Sequence, residues 1–474
     1  MALTPQLDFW TSWLQPWTAG LSLPGHAADS RLVQQRASAL LQHAHAHSAF
    51  YRRHHGVETG GRRAVPAWRD LPPVRKHELM AGFDDWVTDP ALTLAGVNEF
   101  LADPGRIGSD HLGRYAVWTS SGTSGEPAIF VQDHAALTVY AALLASRMDH
   151  RCATGRWWAQ AASGQHGLWG LAPRSALIAA IDGHYAGVSF WLRQGRERGR
   201  LGGQSRTFPV SWPIERLCTE LQAWQPAFVA SYPSVLVELA RQQEAGVLKL
   251  APLALWSGGE GLAASTRSWI ETVFGAPVVN DYGASECLSI AFECRHGRLH
   301  LNDDWVVLEP IDAAGRPVPP GVASHSVLLT NLANKVQPLI RYQLGDSVTF
   351  YPDACACGNA RPSFSVEGRC DDTLRLSNGR HGVVHLSPMA LTTAVEEGAD
   401  VHRFQLCQTA ADVIDLRIDT LTRPVPAAQQ QRALQALRDF LATQGLPKVQ
   451  VRLDPQPPLL ERRSGKLRQV LCLV

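Results

Sequence analysis

Short apolar runs that end in polar turns, separated by amphipathic stretches, set the pattern of the middle of the chain. Residues 227–233, 253–260 and 278–286 each read as a strand running into a turn. Helical periodicity fills the intervals at 214–224, 234–246 and 266–274. Alternating strands and helices predict a parallel α/β sheet, and ligands gather at the carboxyl ends of the strands in such sheets. Those ends carry Ser231-Tyr232-Pro233, Ser257-Gly258-Gly259-Glu260 and Asp281-Tyr282-Gly283-Ala284-Ser285-Glu286.

The flanking segments read differently. Asp29-Ser30 is positioned to cap a helix that continues to Phe50-Tyr51. His43, His45, His47, His54 and His55 fall in this region without an accompanying carboxylate or cysteine, so a solvated helix face is the reading. Residues 71–79 form a proline turn that feeds a short helix. Asp133 is placed to cap a helix over 134–148, and 157–212 alternates short apolar runs with glycine. Pro-Gly turns punctuate short strands from about 298 to 368, which predicts a β-rich subdomain. After the polar stretch at 369–372, strands at 404–407, 413–418 and 449–453 with a helix at 427–441 predict a small α+β module. The expected division is therefore 1–368, a junction at 369–372, and 373–474. No internal repeat is found.

Between two apolar runs lies Trp118-Thr119-Ser120-Ser121-Gly122-Thr123-Ser124-Gly125-Glu126-Pro127, which reads as strand, loop, strand. Glycines let backbone approach an anion closely and successive N–H groups can converge on it, while the hydroxyls add donors. A plain hydroxyl-rich hairpin turn is the alternative. The Gly-Lys-Ser/Thr ending and trailing helix of a Walker loop are absent.

Composition narrows the class. With 474 residues and 45% hydrophobic content the chain is globular and long enough for two or more domains. Its 44 Lys plus Arg against 43 Asp plus Glu give no global field for nucleic acid or an anionic membrane. The start lacks the basic and apolar regions of a signal peptide, and no apolar run is long enough to span a bilayer. Nine irregularly spaced cysteines fit a reducing cytoplasm better than a disulfide framework. Fifteen tryptophans are enough for cores and for an aromatic pocket.

Four further motifs follow the hydroxyl loop in order. They are Tyr282-Gly283-Ala284-Ser285-Glu286, Arg341-Tyr342-Gln343-Leu344-Gly345-Asp346, Gly368-Arg369-Cys370-Asp371-Asp372 and Arg463-Ser464-Gly465-Lys466-Leu467-Arg468. This series resembles the adenylate-forming superfamily of acyl-CoA synthetases, peptide-synthetase adenylation domains and luciferases, from about residue 70 to 470. Within it, Leu71-Pro72-Pro73-Val74-Arg75-Lys76-His77-Glu78-Leu79 is similar to the corresponding segment of the phenylacetate–CoA ligase branch. Glu126 departs from the lysine usual in the loop, placing a negative charge beside it while leaving its glycines intact.

The resemblance implies a large N-terminal α/β domain with parallel-rich sheets and a small mobile C-terminal domain that turns about Asp371. It implies ATP, Mg²⁺ and a carboxylic acid as ligands, an acyl-adenylate with loss of pyrophosphate, and transfer to CoA. Thr119, Ser120, Ser121, Gly122, Thr123, Ser124 and Gly125 would hold the β/γ-phosphates, with Thr123 taking part in catalysis. Gly259, Glu260, Asp281, Tyr282, Gly283 and Ser285 would surround the nucleotide, Tyr282 stacking on adenine. Asp346 would accept the ribose hydroxyls, Arg369 would contact ribose or phosphate, and Glu286 would ligate Mg²⁺. Lys466 would bridge the acid's carboxylate and the α-phosphate. The acid would lie between loop and sheet rim, against Gln165, His166, Trp169, Tyr232, Ser257, Gly258 and Ala284. Trp169 and Tyr232 favour an aromatic or apolar acid, and His166 either meets a polar substituent or is structural.

Cys294, His300, Cys355 and Cys357 offer a tetrahedral Zn²⁺ set, with free buried thiols as the alternative, and the same branch carries a similar arrangement. Other acceptors stay open: a carrier-protein thiol supplied in trans, an amine, or adenylation of an unusual oxyanion. A nucleotide-binding sensor is the non-enzymatic alternative, disfavoured by the retained Lys466. Nucleic acid and membrane partners are not expected, and a homodimer is left open.

Overall fold

Strand–helix alternation builds the central sheet. A computed structural model describes residues 26–57, 68–120, 128–152, 174–200, 204–377, 382–419, 425–461 and 465–474. In chain order its strands are β1 (Ala116–Thr119), β2 (Ile129–Gln132), β3 (Ser175–Ala179), β4 (Ser205–Pro209), β5 (Phe228–Ser231), β6 (Ala254–Ser257) and β7 (Val278–Ala284). They continue with β8 (Cys287–Glu293), β9 (Leu299–Leu301), β10 (Val306–Ile311), β11 (Ser326–Asn331), β12 (Leu339–Gln343), β13 (Asp346–Phe350) and β14 (Ser363–Arg369). The remaining strands are β15 (Leu374–Ser377), β16 (Val383–Leu386), β17 (Phe404–Ala410), β18 (Val413–Ile418), β19 (Gln450–Asp454) and β20 (Val470–Cys472).

The main sheet runs β13-β14-β9-β8-β7-β6-β5-β3-β4 among the described residues. From β7 through β4 the pairs are parallel; from β7 through β13 they are antiparallel. The helices Ile214–Trp224, Pro233–Glu244 and Ala264–Phe274 make the parallel crossovers. The first buries Leu217, Cys218 and Leu221 on one stripe and ends at Gln225 in the left-handed region. The second starts with Pro233 in its first turn, where a missing N–H costs nothing. Side chains alternate faces along each strand. Ala176, Ile178, Val229 and Leu255 join the core with those helices, while Leu177, Ala179, Ala230 and Trp256 face the other side.

The strands of the β-rich stretch expected at 298–368 fall in two sheets. β9, β13 and β14 extend the main sheet, and β10, β11 and β12 form a separate three-stranded sheet. Turn signals mark where strands end but not which strand they pair with. A correction concerns 186–200, expected as short apolar runs and found as the helix Ala186–Arg200. Tyr185, Val188 and Leu192 pack on one cluster at helical spacing, a signal outweighed by the β-favouring Val188, Phe190 and Trp191. The N-terminal helix also breaks, at Ser48, into Ser30–His47 and Ala49–His54. Ser48 ends the first and accepts from the N–H of Tyr51 to cap the second.

Residues 374–470 bury a hydrophobic cluster of their own, from Leu374 to Val470. Its sheet runs β19-β18-β17-β20, mixing an antiparallel centre with parallel edges. Contacts with the main sheet's helices combine hydrogen bonds with one aromatic stack. Thr266 donates to Glu396 at 2.8 Å, and its Oγ1 lies 2.8 Å from His402 Nδ1. His402 stacks on Trp269 at 5.5 Å. Burial opposes protonation of His402, but the Glu396 and Asp400 carboxylates outweigh it and raise its pKa. No helix among the described residues is long and apolar enough to cross a membrane.

The helices Pro388–Ala399 and Ala427–Thr443 touch where a Cβ on Gly398 would lie 2.4 Å from Ala436 Cβ. Gly398→Val is expected to cost about 1–3 kcal/mol by overpacking, read as a lower thermal midpoint that Ala436→Gly partly restores. An unchanged midpoint would contradict this packing.

Candidate active site

Register brings the rim residues together. Ser231 pairs with Ser257, and Ser257 with Asn280, so Tyr232, Gly258 and Asp281 stand one step beyond, side by side. At Asp281 the strand leaves its parallel partner β6 and begins to pair antiparallel with β8. Such a switch opens a crevice at the ends of the strands. Gly283 is required beside it: a Cβ there would sit 2.1 Å from the carbonyl oxygen of Leu288.

The hydroxyl-rich segment is anchored next to this rim. β1 and β2 pair antiparallel with Thr119 opposite Ile129, and Ser120 exchanges backbone and side-chain hydrogen bonds with Ala128 at 2.9 Å. Trp118, at the end of β1, donates its indole N–H to the carbonyl of Ser285 at 2.8 Å. Asn331 donates to the Glu286 carbonyl at 3.2 Å. Thr119 and Ser120 therefore stand beside the turn that carries Ser285 and Glu286. Ser121, Gly122, Thr123, Ser124 and Gly125, and likewise Gln165, His166 and Trp169, lie outside the described residues.

Two carboxylates mark the crevice. Glu286 is buried and accepts from the Tyr342 hydroxyl at 2.9 Å. Burial raises its pKa, while the Tyr342 hydrogen bond works in the opposite direction. Asp346 receives the Tyr282 hydroxyl at 2.5 Å and the Arg369 guanidinium at 3.0 Å. This three-residue group joins β7, β13 and β14, and sequence separation hid it. The Tyr282 ring meets Phe364 edge-on at 5.8 Å. Gly345, at φ 84°, makes room for Arg369, whose Nη2 is 2.9 Å from the point a Cβ would occupy.

Lys466 arrives from the far end of the chain. Its Nζ lies 2.9 Å from the point a Cβ on Gly259 would occupy and 5.6 Å from the centre of the Tyr232 ring. Gly259 holds φ +82°, so glycine is needed there for conformation as well as space. Glu260 clips the lysine segment in place. Its Oε1 accepts the Leu467 N–H at 2.7 Å and the Ser234 hydroxyl at 3.1 Å, and its Oε2 accepts the Ser234 N–H at 3.0 Å. Burial lowers the pKa of Lys466 against the opposing pull of Glu260 and Glu461. Glu260, expected among the nucleotide contacts, thus spends its oxygens on the lysine segment and the helix start. Arg468 also pairs with Asp372 beside the junction, in the turn Cys370–Asp372 that contains Asp371. Ser257 is fully buried, and Ala284 ends β7.

The cysteine set converges about its own centre. The ligand atoms of Cys294, His300, Cys355 and Cys357 all lie within 4.8 Å of one another. Cys294 Sγ and Cys355 Sγ are 3.7 Å apart, and Cys357 Sγ and His300 Nε2 are 3.3 Å apart. A tetrahedral zinc with bonds of about 2.3 Å requires S–S edges of about 3.8 Å, so these donors fit. His300 Nδ1 lies 3.1 Å from the Arg361 carbonyl, an outer contact that turns Nε2 toward the sulfurs.

Comparison with known proteins agrees with this architecture. Residues 21–325, more than half of the chain, match the family described as AMP-binding enzyme. Protein CapK of Staphylococcus aureus is 29% identical over 131 residues, 27% of this chain. The match spans only 28% of CapK's own length. A 2-hydroxyisobutyryl-CoA ligase in the postadenylation state, in complex with 2-HIB-AMP, shares the fold at 21% identity. The alignment covers 93% of this chain and 88% of the ligase, with a TM-score of 0.63. The same ligase in its thioesterification state, with 2-HIB-AMP and CoA, aligns over 93% of this chain and 89% of its own at 21% identity, with a TM-score of 0.52. The chain belongs to the AMP-binding enzyme family.

Proposed function

We propose that this protein is an AMP-forming acid–thiol ligase. It converts a carboxylic acid to an acyl-adenylate with release of pyrophosphate, then passes the acyl group to the thiol of CoA. The observation that carries this reading is the half-buried Lys466 seated over Gly259 at the strand ends. An acid carboxylate is a weak nucleophile, and it attacks an α-phosphate that carries like charge. A cation fixed between them offsets both repulsion and developing charge without reorganising. Partial burial of Lys466 strengthens that effect, because water screens it less.

The other roles follow from position. Thr119 and Ser120 contact the phosphates, and Asp346 receives ribose hydroxyls while Tyr282 and Arg369 hold it. Glu286 is a hard oxygen donor suited to Mg²⁺, which would neutralise phosphate charge there. Segment 373–474 acts as a module that turns at Asp371. Its separate core supports that motion. The higher TM-score against the postadenylation form than against the thioesterification form supports a reading in which Lys466 is in place for, or just after, adenylation. The segment at 71–79 supports a place near the phenylacetate–CoA ligases.

Pyrophosphate release across a panel of acids, with and without CoA, tests the reading. Acid-dependent release and a CoA thioester are expected, and acid-dependent release without thioester would refute CoA as acceptor. Lys466→Ala is expected to slow acid-dependent release by about 10²–10³, the scale of one preorganised electrostatic donor. An unchanged rate would remove Lys466 from the chemistry.

We also propose that Cys294, His300, Cys355 and Cys357 hold a structural Zn²⁺. Elemental assay is expected to find about one zinc per chain, lost in Cys357→Ser together with a lower thermal midpoint. Protein free of zinc at full stability would leave these as plain thiols.

A further inference from the structure

Two successive glycines floor the crevice, and a different charged group stands over each. Over Gly259 is Lys466. Over Gly258 the only heavy atom of the described residues within 4 Å of the point a Cβ would occupy is Asp281 Oδ1, at 3.4 Å. The Asp281 carboxylate therefore forms one side of the space above Gly258. Trp256 donates its indole N–H to the same oxygen at 2.6 Å and fixes its direction. Among the described residues no cation pairs with Asp281. The walls nearby are aromatic: Tyr185, Trp191, Tyr232 and Trp256 pack on one cluster, and Trp191 Nε1 is buried without a hydrogen-bond partner.

We propose that Asp281 selects the substrate: the acid carries an O–H or N–H donor close to its carboxylate, and Asp281 accepts it. This rests on the reading of Lys466 as the group that meets the substrate's carboxylate. With the carboxylate over Gly259, the donor falls over Gly258. Neighbouring Cα atoms are 3.8 Å apart, so the donor lies on the order of 4–6 Å from the carboxyl carbon. A hydroxyl or amino group about four or five bonds away meets that limit.

An acid without such a group would cover Asp281 and leave its oxygens desolvated. Sites built to hydrogen-bond a polar group reject analogues that lack it far more strongly than apolar pockets reject a methylene. Burial already pushes the Asp281 carboxyl up to about 6, against the lowering effect of Trp256, so the site gains from an added donor. Asp281 was expected among the nucleotide contacts; its position over Gly258 and its bond to Trp256 turn it toward the acyl side.

Matched acids test this by acid-dependent pyrophosphate release: phenylacetate with its 3-hydroxy and 3-amino ring forms, and benzoate with its 3-hydroxy and 3-amino forms. Wild-type protein is expected to favour a donor-bearing member by on the order of 10²-fold in kcat/KM. Asp281→Leu is expected to remove that preference while still turning over the unsubstituted acid. Asp281→Asn, whose amide oxygen still accepts a hydrogen bond, is expected to keep part of it. Equal thermal midpoints confirm that both variants fold. Equal rates for donor-bearing and plain acids in the wild type, or a preference unchanged in Asp281→Leu, would overturn the assignment and leave the ligase reading standing. No release with any acid would overturn both.

Discussion

The account depends on an ammonium group held against bare backbone. Lys466 can reach the ends of the parallel strands only because Gly259 offers no side chain and a backbone conformation that other residues avoid. Desolvating a lysine is costly, and the opposing Glu260 and Glu461 lessen that cost. Glu260 also grips the Leu467 N–H, so one residue both balances the charge and fixes the segment that bears it. Glu260 thus ties the lysine segment to the ends of the parallel strands through a hydrogen bond.

A second constraint is the course of β7. For three residues it pairs parallel with β6, and then it turns to pair antiparallel with β8. That change gathers at one rim the groups a nucleotide and an acid would need. The Tyr282–Asp346–Arg369 group and the buried Glu286 lie toward the antiparallel side, while Tyr232, Gly258 and Asp281 lie toward the parallel side. Trp118 ties the hydroxyl-rich hairpin to the same turn. A strand that changes partner midway therefore gives the crevice two chemically different flanks.

Much of this could be read from residues alone. The helix at Ile214–Trp224 and the strand at Val413–Ile418 have the bounds their periodicity predicts, because their apolar stripes are uninterrupted. Strand ends were legible because Gly258, Gly259 and Gly283 interrupt apolar runs. Partnerships were not. The split of residues 298–368 between two sheets depends on pairing across dozens of residues, for example Ser363 with His300. The hairpin of β15 and β16 and the last strand, β20, are too short to declare themselves. Glu260 looked like part of a ligand rim, and only the fold shows that its oxygens go to Ser234 and Leu467. The cysteine cluster lies between these cases, with donor types legible in sequence and convergence visible only in space.

A crystal structure with a non-hydrolysable acyl-adenylate mimic tests the central claim most directly. The account predicts the acyl carbonyl and the phosphate-replacing group beside Lys466 Nζ above Gly259, with the ribose at Asp346. A mimic bound elsewhere, with Lys466 far from its acyl–phosphate junction, would contradict it.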